Sequence, residues 1–137
     1  MTLSSSPKPD EGSPTISLQT HDEAKLLVLR KQPVSPYNDD FRFQVEVGSP
    51  TVHGTGPFQI SVRQLRHFAD AHEKSIEGEL QDENGDGTIQ FEKADALGHF
   101  KVVTRLGGPW SDQVQVAFGT DQTATTAFVE DLRYLLR

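Results

Sequence analysis

The sequence predicts an α+β fold: a curved antiparallel β-sheet of about five to seven strands packed against two α-helices, behind a disordered N-terminal tail. Three observations predict it. Several short stretches alternate apolar and polar residues with period two, as half-buried strands do. Two longer stretches place apolar residues at three-and-four spacing, as amphipathic helices do. The strand-like stretches follow one another through tight Gly, Pro and Asn turns, which leaves only antiparallel pairing between them.

Residues 1–20 read as the tail and residues 21–137 as a single domain. The tail, MTLSSSPKPDEGSPTISLQT, is rich in Ser and Pro. It has too few apolar residues to offset the entropy of ordering it. Only Ile16 and Leu18 alternate there, enough to start a short edge strand. Ala24 to Arg30 (AKLLVLR) is a short apolar run without a helix cap and reads as a buried strand. Pro33 and Pro36 bracket a loop. In Phe41 to Val47 (FRFQVEV), Phe41, Phe43, Val45 and Val47 share one face and Arg42, Gln44 and Glu46 the other. Thr51 to Thr55 reads as a returning strand broken by Gly54, Gly56 and Pro57, with Phe58 to Ile60 a separate extended piece.

A helix follows. Ser61 suits its N-cap and Gln64 stands three residues on, the spacing of a capping box. Val62, Leu65, Phe68 or Ala69, His72 and Ile76 form its apolar stripe, and Gly78 ends it, as a C-cap or just beyond. After Gly78 the period returns to two. Glu79 to Asp82 and Thr88 to Lys93 flank an Asn-Gly-Asp-Gly turn. Gly98 to Leu106 puts Phe100, Val102, Thr104 and Leu106 on one face, and Val114, Val116 and Phe118 belong to a further strand. The last element is helical: Thr120 or Asp121 caps it, and Ala124, Phe128, Leu132 and Leu135 or Leu136 make the stripe. The predicted core is Leu27, Leu29, Phe43, Val45, Phe58, Leu65, Phe68, Ile89, Phe91, Phe100, Val102, Val116, Phe118, Phe128 and Leu132. The sequence shows no internal repeat.

Composition narrows the function classes. No apolar run approaches the ~18 residues a spanning helix needs, so membrane insertion is not expected. No basic-then-apolar leader opens the chain, which with the absence of Cys fits a cytoplasmic protein. Zero Cys excludes disulfides, thiol nucleophiles, iron–sulfur clusters and thiolate zinc sites. With 13 Lys and Arg against 20 Asp and Glu, the net charge of −7 repels phosphate backbones and argues against nucleic-acid binding. The same field favours association with a basic protein.

The sharpest motif is DENGDGTI. Asp82, Asn84 and Asp86 match positions one, three and five of a calcium loop spanning residues 82–93, with Gly87 at the sharp turn. A hard cation wants oxygens converging from alternate residues around such a turn. Position twelve, however, is Lys93 instead of a bidentate carboxylate, and TIQFEK alternates like a strand. Asn-Gly and Asp-Gly are also the strongest short hairpin signals, so a polar hairpin is preferred and weak calcium binding is the alternative. The five His residues have no metal-pair spacing; His67 and His72 point to different helix faces. Neither a nucleophile elbow nor a phosphate loop is present, so no catalytic residue and no cofactor is assigned. Trp110, on the turn after Gly107 and Gly108, is a candidate partner-binding anchor.

The order of elements carries a resemblance: GPFQISV, the helix QLRHFADAHE, the acidic strand GELQDENGDG, LGHFKVV, then VQVAF running through TDQ into FVEDLRYLL. Over roughly Lys25 to Arg137 the chain resembles small bacterial proteins related to the immunity proteins of wall-associated polymorphic toxins, the WapI type. The resemblance implies a cytoplasmic protein that binds and neutralises a cognate toxin, and it transfers no catalytic or contact residue. The expected function is therefore non-catalytic protein binding, with a basic toxin domain as partner. The alternatives are the calcium module and a small-ligand-binding domain with a pocket between sheet and helices.

Overall fold

The structure, a computed structural model, describes residues 15–19, 26–33, 40–48, 53–73, 77–83, 85–107 and 112–136. In chain order the elements are β1 (Thr15–Gln19), β2 (Leu26–Gln32), β3 (Phe41–Gly48), β4 (His53–Ile60), α1 (Val62–Glu73), β5 (Gly78–Gln81), β6 (Thr88–Lys93), β7 (His99–Leu106), β8 (Val114–Asp121) and α2 (Gln122–Leu135). The α+β class stands. The single sheet does not: the described residues form two four-stranded antiparallel sheets, ordered β1-β2-β3-β4 and β5-β6-β7-β8. Among the described residues the chain runs through four successive strands, then a helix, and then repeats that order. Sequence periodicity shows each strand but cannot show where one sheet stops and another starts, because α1 interrupts the run without marking a change of layer.

The two helices are exchanged between the sheets. α1 leaves the first sheet and packs on β5 of the second, while α2 leaves the second sheet and packs on β1 of the first as well as on β8. The helices also pack on each other, and β4 lies against the ends of β5, β7 and β8. A single apolar cluster fills the space between these layers. Every residue of the predicted core is buried in it or beside it.

Strand β1 begins inside the stretch read as a tail. Its two apolar residues suffice because Ile16 and Leu18 sit opposite Leu29 and Leu27 and are fully covered. Residues 1–14 lie outside the described residues. The break expected at Gly54, Gly56 and Pro57 is absent, and β4 is one continuous strand. Gly54 is there for contact: a Cβ would lie 2.3 Å from Val114 Cγ1 of β8. Pro57 is tolerated because β4 is the outer strand of its sheet.

Helix α1 is described through Glu73, residues 74–76 lie outside the described residues, and Gly78 is the first residue of β5. The Phe68 ring lies over Gly78, where a Cβ would be 2.8 Å from Phe68 Cδ1. Ile76, expected on the helical stripe, lies outside the described residues. Asp121 caps α2 as expected, its Oδ1 accepting from the Ala124 N–H at 2.9 Å. No helix among the described residues is long and apolar enough to cross a membrane.

Candidate functional site

The polar groups of the molecule converge where the 82–87 turn meets α1 and β4. Asp82 N–H donates to the Gly87 carbonyl at 2.9 Å and closes the β5–β6 hairpin. Asp82 Oδ1 accepts from the Gln59 N–H at 3.0 Å, and Glu83 N–H donates to the Gln59 carbonyl at 2.9 Å. The turn is thus bonded to the outer strand of the other sheet. Gln59 Nε2 in turn donates to Asp40 Oδ2 at 2.8 Å.

The capping box is half realised. Ser61 Oγ accepts from the Gln64 N–H at 3.1 Å, as the motif requires. The Gln64 side chain does not return to Ser61. Its amide reaches the backbone of Gln81 on β5: Nε2 donates to the Gln81 carbonyl at 3.0 Å and Oε1 accepts from the Gln81 N–H. The vacated role is filled from the turn, where Glu83 Oε2 accepts from the Ser61 N–H at 2.6 Å and from Gln64 Nε2 at 3.1 Å. An anionic carboxylate here also complements the positive end of the α1 dipole.

Hydrogen bonds involving Ser61 hold the Glu83 carboxyl below its ordinary value of 4.5. A carboxyl with a depressed folded-state value stabilises the fold fully above its unfolded value, and that contribution disappears as pH falls through the folded value. Glu83→Gln is therefore expected to lower the urea midpoint at pH 7. The gap between wild type and variant should close as pH drops below the ordinary glutamate range. A gap that is constant with pH would place the effect elsewhere.

Of the sequence-predicted cation ligands, Asp82 is committed to Gln59. Asp86 is exposed, and Asn84 lies outside the described residues. The segment leaving the turn is β6, a strand paired with both β5 and β7, where a calcium loop would continue into a helix. Among the described residues no group of three or more His, Asp or Glu is placed to hold a metal ion. Trp110 also lies outside the described residues.

The histidines have separate settings. His72 is half-buried between the helices, its Nε2 3.2 Å from Thr126 Oγ1 and its ring 6.0 Å from that of Phe100. Burial first, and Arg133 second, push its pKa down. His99 Nδ1 lies 2.7 Å from Asp95 Oδ2 on the exposed β6–β7 turn, and that bond is the main reason the Asp95 carboxyl is held low. His53 and His67 are exposed.

Among the described residues a groove of about 680 Å³ lies over the junction itself, with Arg63 on its wall, and two more flank it. One, of about 560 Å³, is lined by Gln32, Arg42, Gln44, Pro57 and Gln59, outward-alternating residues of β2, β3 and β4, with Phe43 and Phe58 alongside. The other, of about 480 Å³, runs between α1 and β5 and is lined by His67, Phe68, Asp70, Ala71, Glu77, Gly78 and Glu79. Three of those seven residues are acidic and none is Lys or Arg. Glu77 Oε2 accepts from the Lys93 N–H at 2.9 Å and Glu79 Oε1 from Gln90 Nε2 at 2.7 Å, which hold both carboxylates in place. Arg133 of α2 bridges Asp70 and Glu73. The acids are visible in the sequence one by one, but the juxtaposition of α1 with β5 is a long-range fact that no local pattern carries. Comparison of the chain with family models, with curated proteins and with solved structures returned no match.

Proposed function

We propose that this chain is a non-catalytic protein-binding module for a basic protein surface, with immunity to a cognate bacterial toxin as its most concrete form. The observation that supports this reading is the groove between α1 and β5, walled by Asp70, Glu77 and Glu79. Its sign agrees with the net charge of −7, so the local and the long-range fields act together on an approaching cation. Nuclease toxins are basic where they grip phosphate, and an acidic protein competes for that surface through charge complementarity and a fast association rate. The resemblance to immunity proteins of wall-associated toxins supports the same reading and implies a bacterial cytoplasmic protein.

The test begins at the gene, beside which a toxin domain is expected, and continues with co-expression of the two and stopped-flow measurement of the purified pair. Protection of the host is expected. The association rate should fall at least about tenfold as ionic strength is raised from dilute buffer through the physiological range, because the steering field is screened. Unrelieved toxicity would overturn the immunity reading, and a rate independent of salt would overturn its electrostatic basis.

A further inference from the structure

Among the described residues, strand β5 is an outer strand, paired with β6 alone. In an antiparallel pair, alternate residues turn both N–H and C=O towards the neighbour, and the residues between turn both away. Asp82 belongs to the inward phase, since its N–H reaches the Gly87 carbonyl. Gln81 belongs to the outward phase, since both its backbone groups meet the Gln64 side chain of α1. The Gln64 amide thus stands where the peptide group of a fifth strand would stand. Two residues back, Glu79 has the same outward phase. Among the described residues its N–H and C=O have no partner. That unpaired rung opens on the groove that carries Asp70, Glu77 and Glu79.

We propose that a short extended segment of a basic partner adds to β5 at Glu79, with its Lys or Arg side chains among Asp70, Glu77 and Glu79. This rests on the reading that the partner is a basic protein, and it adds where and how that partner docks. Main-chain hydrogen bonds at a sheet edge supply affinity that is indifferent to sequence, and flanking side chains then select the peptide. Here the selecting groups are carboxylates. Gln64 fixes the register, because it occupies the next rung and stops the incoming segment from sliding along the edge. The four-residue length of β5 limits the docked segment to a few residues, which also keeps the edge from templating longer sheets.

The experiment uses the full chain, isotopically labelled, with an acetylated, amidated heptapeptide that alternates Lys with Thr, and a control in which Glu replaces Lys. At low ionic strength the Lys peptide should produce its largest shift at the Glu79 amide and slow hydrogen exchange there at least about fivefold. The Glu peptide should do neither. Glu79→Pro deletes the outward N–H at an edge position of the kind that tolerates proline. It should weaken Lys-peptide binding about tenfold, whereas Glu79→Gln, which keeps the N–H, should weaken it only about threefold. Exchange protection in the unaltered chain tests the proposal even if the proline variant fails to fold. Lys-peptide shifts on another face overturn the β5 edge while leaving the basic-partner reading intact. Equal binding of both peptides overturns the role of the carboxylates. No shift at millimolar Lys peptide overturns the proposal outright, and the co-expression and stopped-flow measurements with the toxin domain then decide the broader reading independently.

Discussion

Replacing Phe128 with alanine is expected to destabilise the protein by about 3–5 kcal/mol, the range for removing a fully enclosed aromatic ring. Phe128 is 0% exposed. Its ring centroid lies 6.4 Å from that of Phe68 on α1 at an interplanar angle of 86°, and 5.6 Å from that of Phe91 on β6. Phe68 and Phe91 meet at 5.0 Å and 64°. These three rings join α2, α1 and the second sheet at one point, so deleting the Phe128 ring leaves a cavity bordered by elements that cannot all close in. The loss includes the edge-to-face contact with Phe68, worth about 0.5–1.5 kcal/mol beyond area burial. A natural domain of this size has roughly 5–15 kcal/mol in total, so the change removes a large share. Urea unfolding should show a lower midpoint at an unchanged slope. Leu97→Ala is the control: Leu97 is 83% exposed, and its replacement should stay within about 0.5 kcal/mol. A Phe128→Ala loss below about 1 kcal/mol would mean that the ring is not enclosed as described.

Gly54→Ala is the second large effect, expected at about 1–3 kcal/mol through overpacking. The added methyl would sit 2.3 Å from Val114 Cγ1 and 3.2 Å from Val114 Cβ. Either Val114 leaves its position or β4 moves away from β8. Val114→Ala removes the obstructing methyls and should recover most of the loss, a coupling of about 0.5–3 kcal/mol in a double-mutant cycle. Gly56, two residues on along the same strand, is the internal comparison. A Cβ there would lie 3.8 Å from Leu106 Cβ, an ordinary contact, so Gly56→Ala should cost far less. Equal losses at both positions would show that strand backbone freedom, and not the approach of the two sheets, determines the cost.

The sequence made the strands, both helices, the Asp121 cap and the buried face of each element legible, because these follow from period and from short-range chemistry. Phe43, Val45 and Val47 alternate whatever the chain does elsewhere. What stayed hidden depends on contacts between distant segments. Gly54 and Gly56 look like breaks because glycine signals a turn in isolation, and the reason for glycine at 54 is a valine sixty residues away. Ser61 and Gln64 have capping-box spacing, but the spacing says nothing of Glu83 arriving to take the position that Gln64 leaves. The acidic turn suggested cation binding for the same reason: Asp82 has the right neighbours in the chain, and its actual partner, the Gln59 backbone, belongs to the other sheet. The edge rung at Glu79 was out of reach altogether, since which backbone groups lie unpaired depends on register and on what stands beside the strand.

The exchange of helices has a consequence for how the chain can be divided. Each four-stranded half leaves the side of its first strand to be covered by a helix that the other half contributes, so severing the chain between α1 and β5 would yield two fragments that are both incomplete. Neither would hold its structure alone, yet mixed together they carry every surface needed to reassemble. The protein is in this sense an intramolecular dimer, and its two halves should melt together, never one after the other.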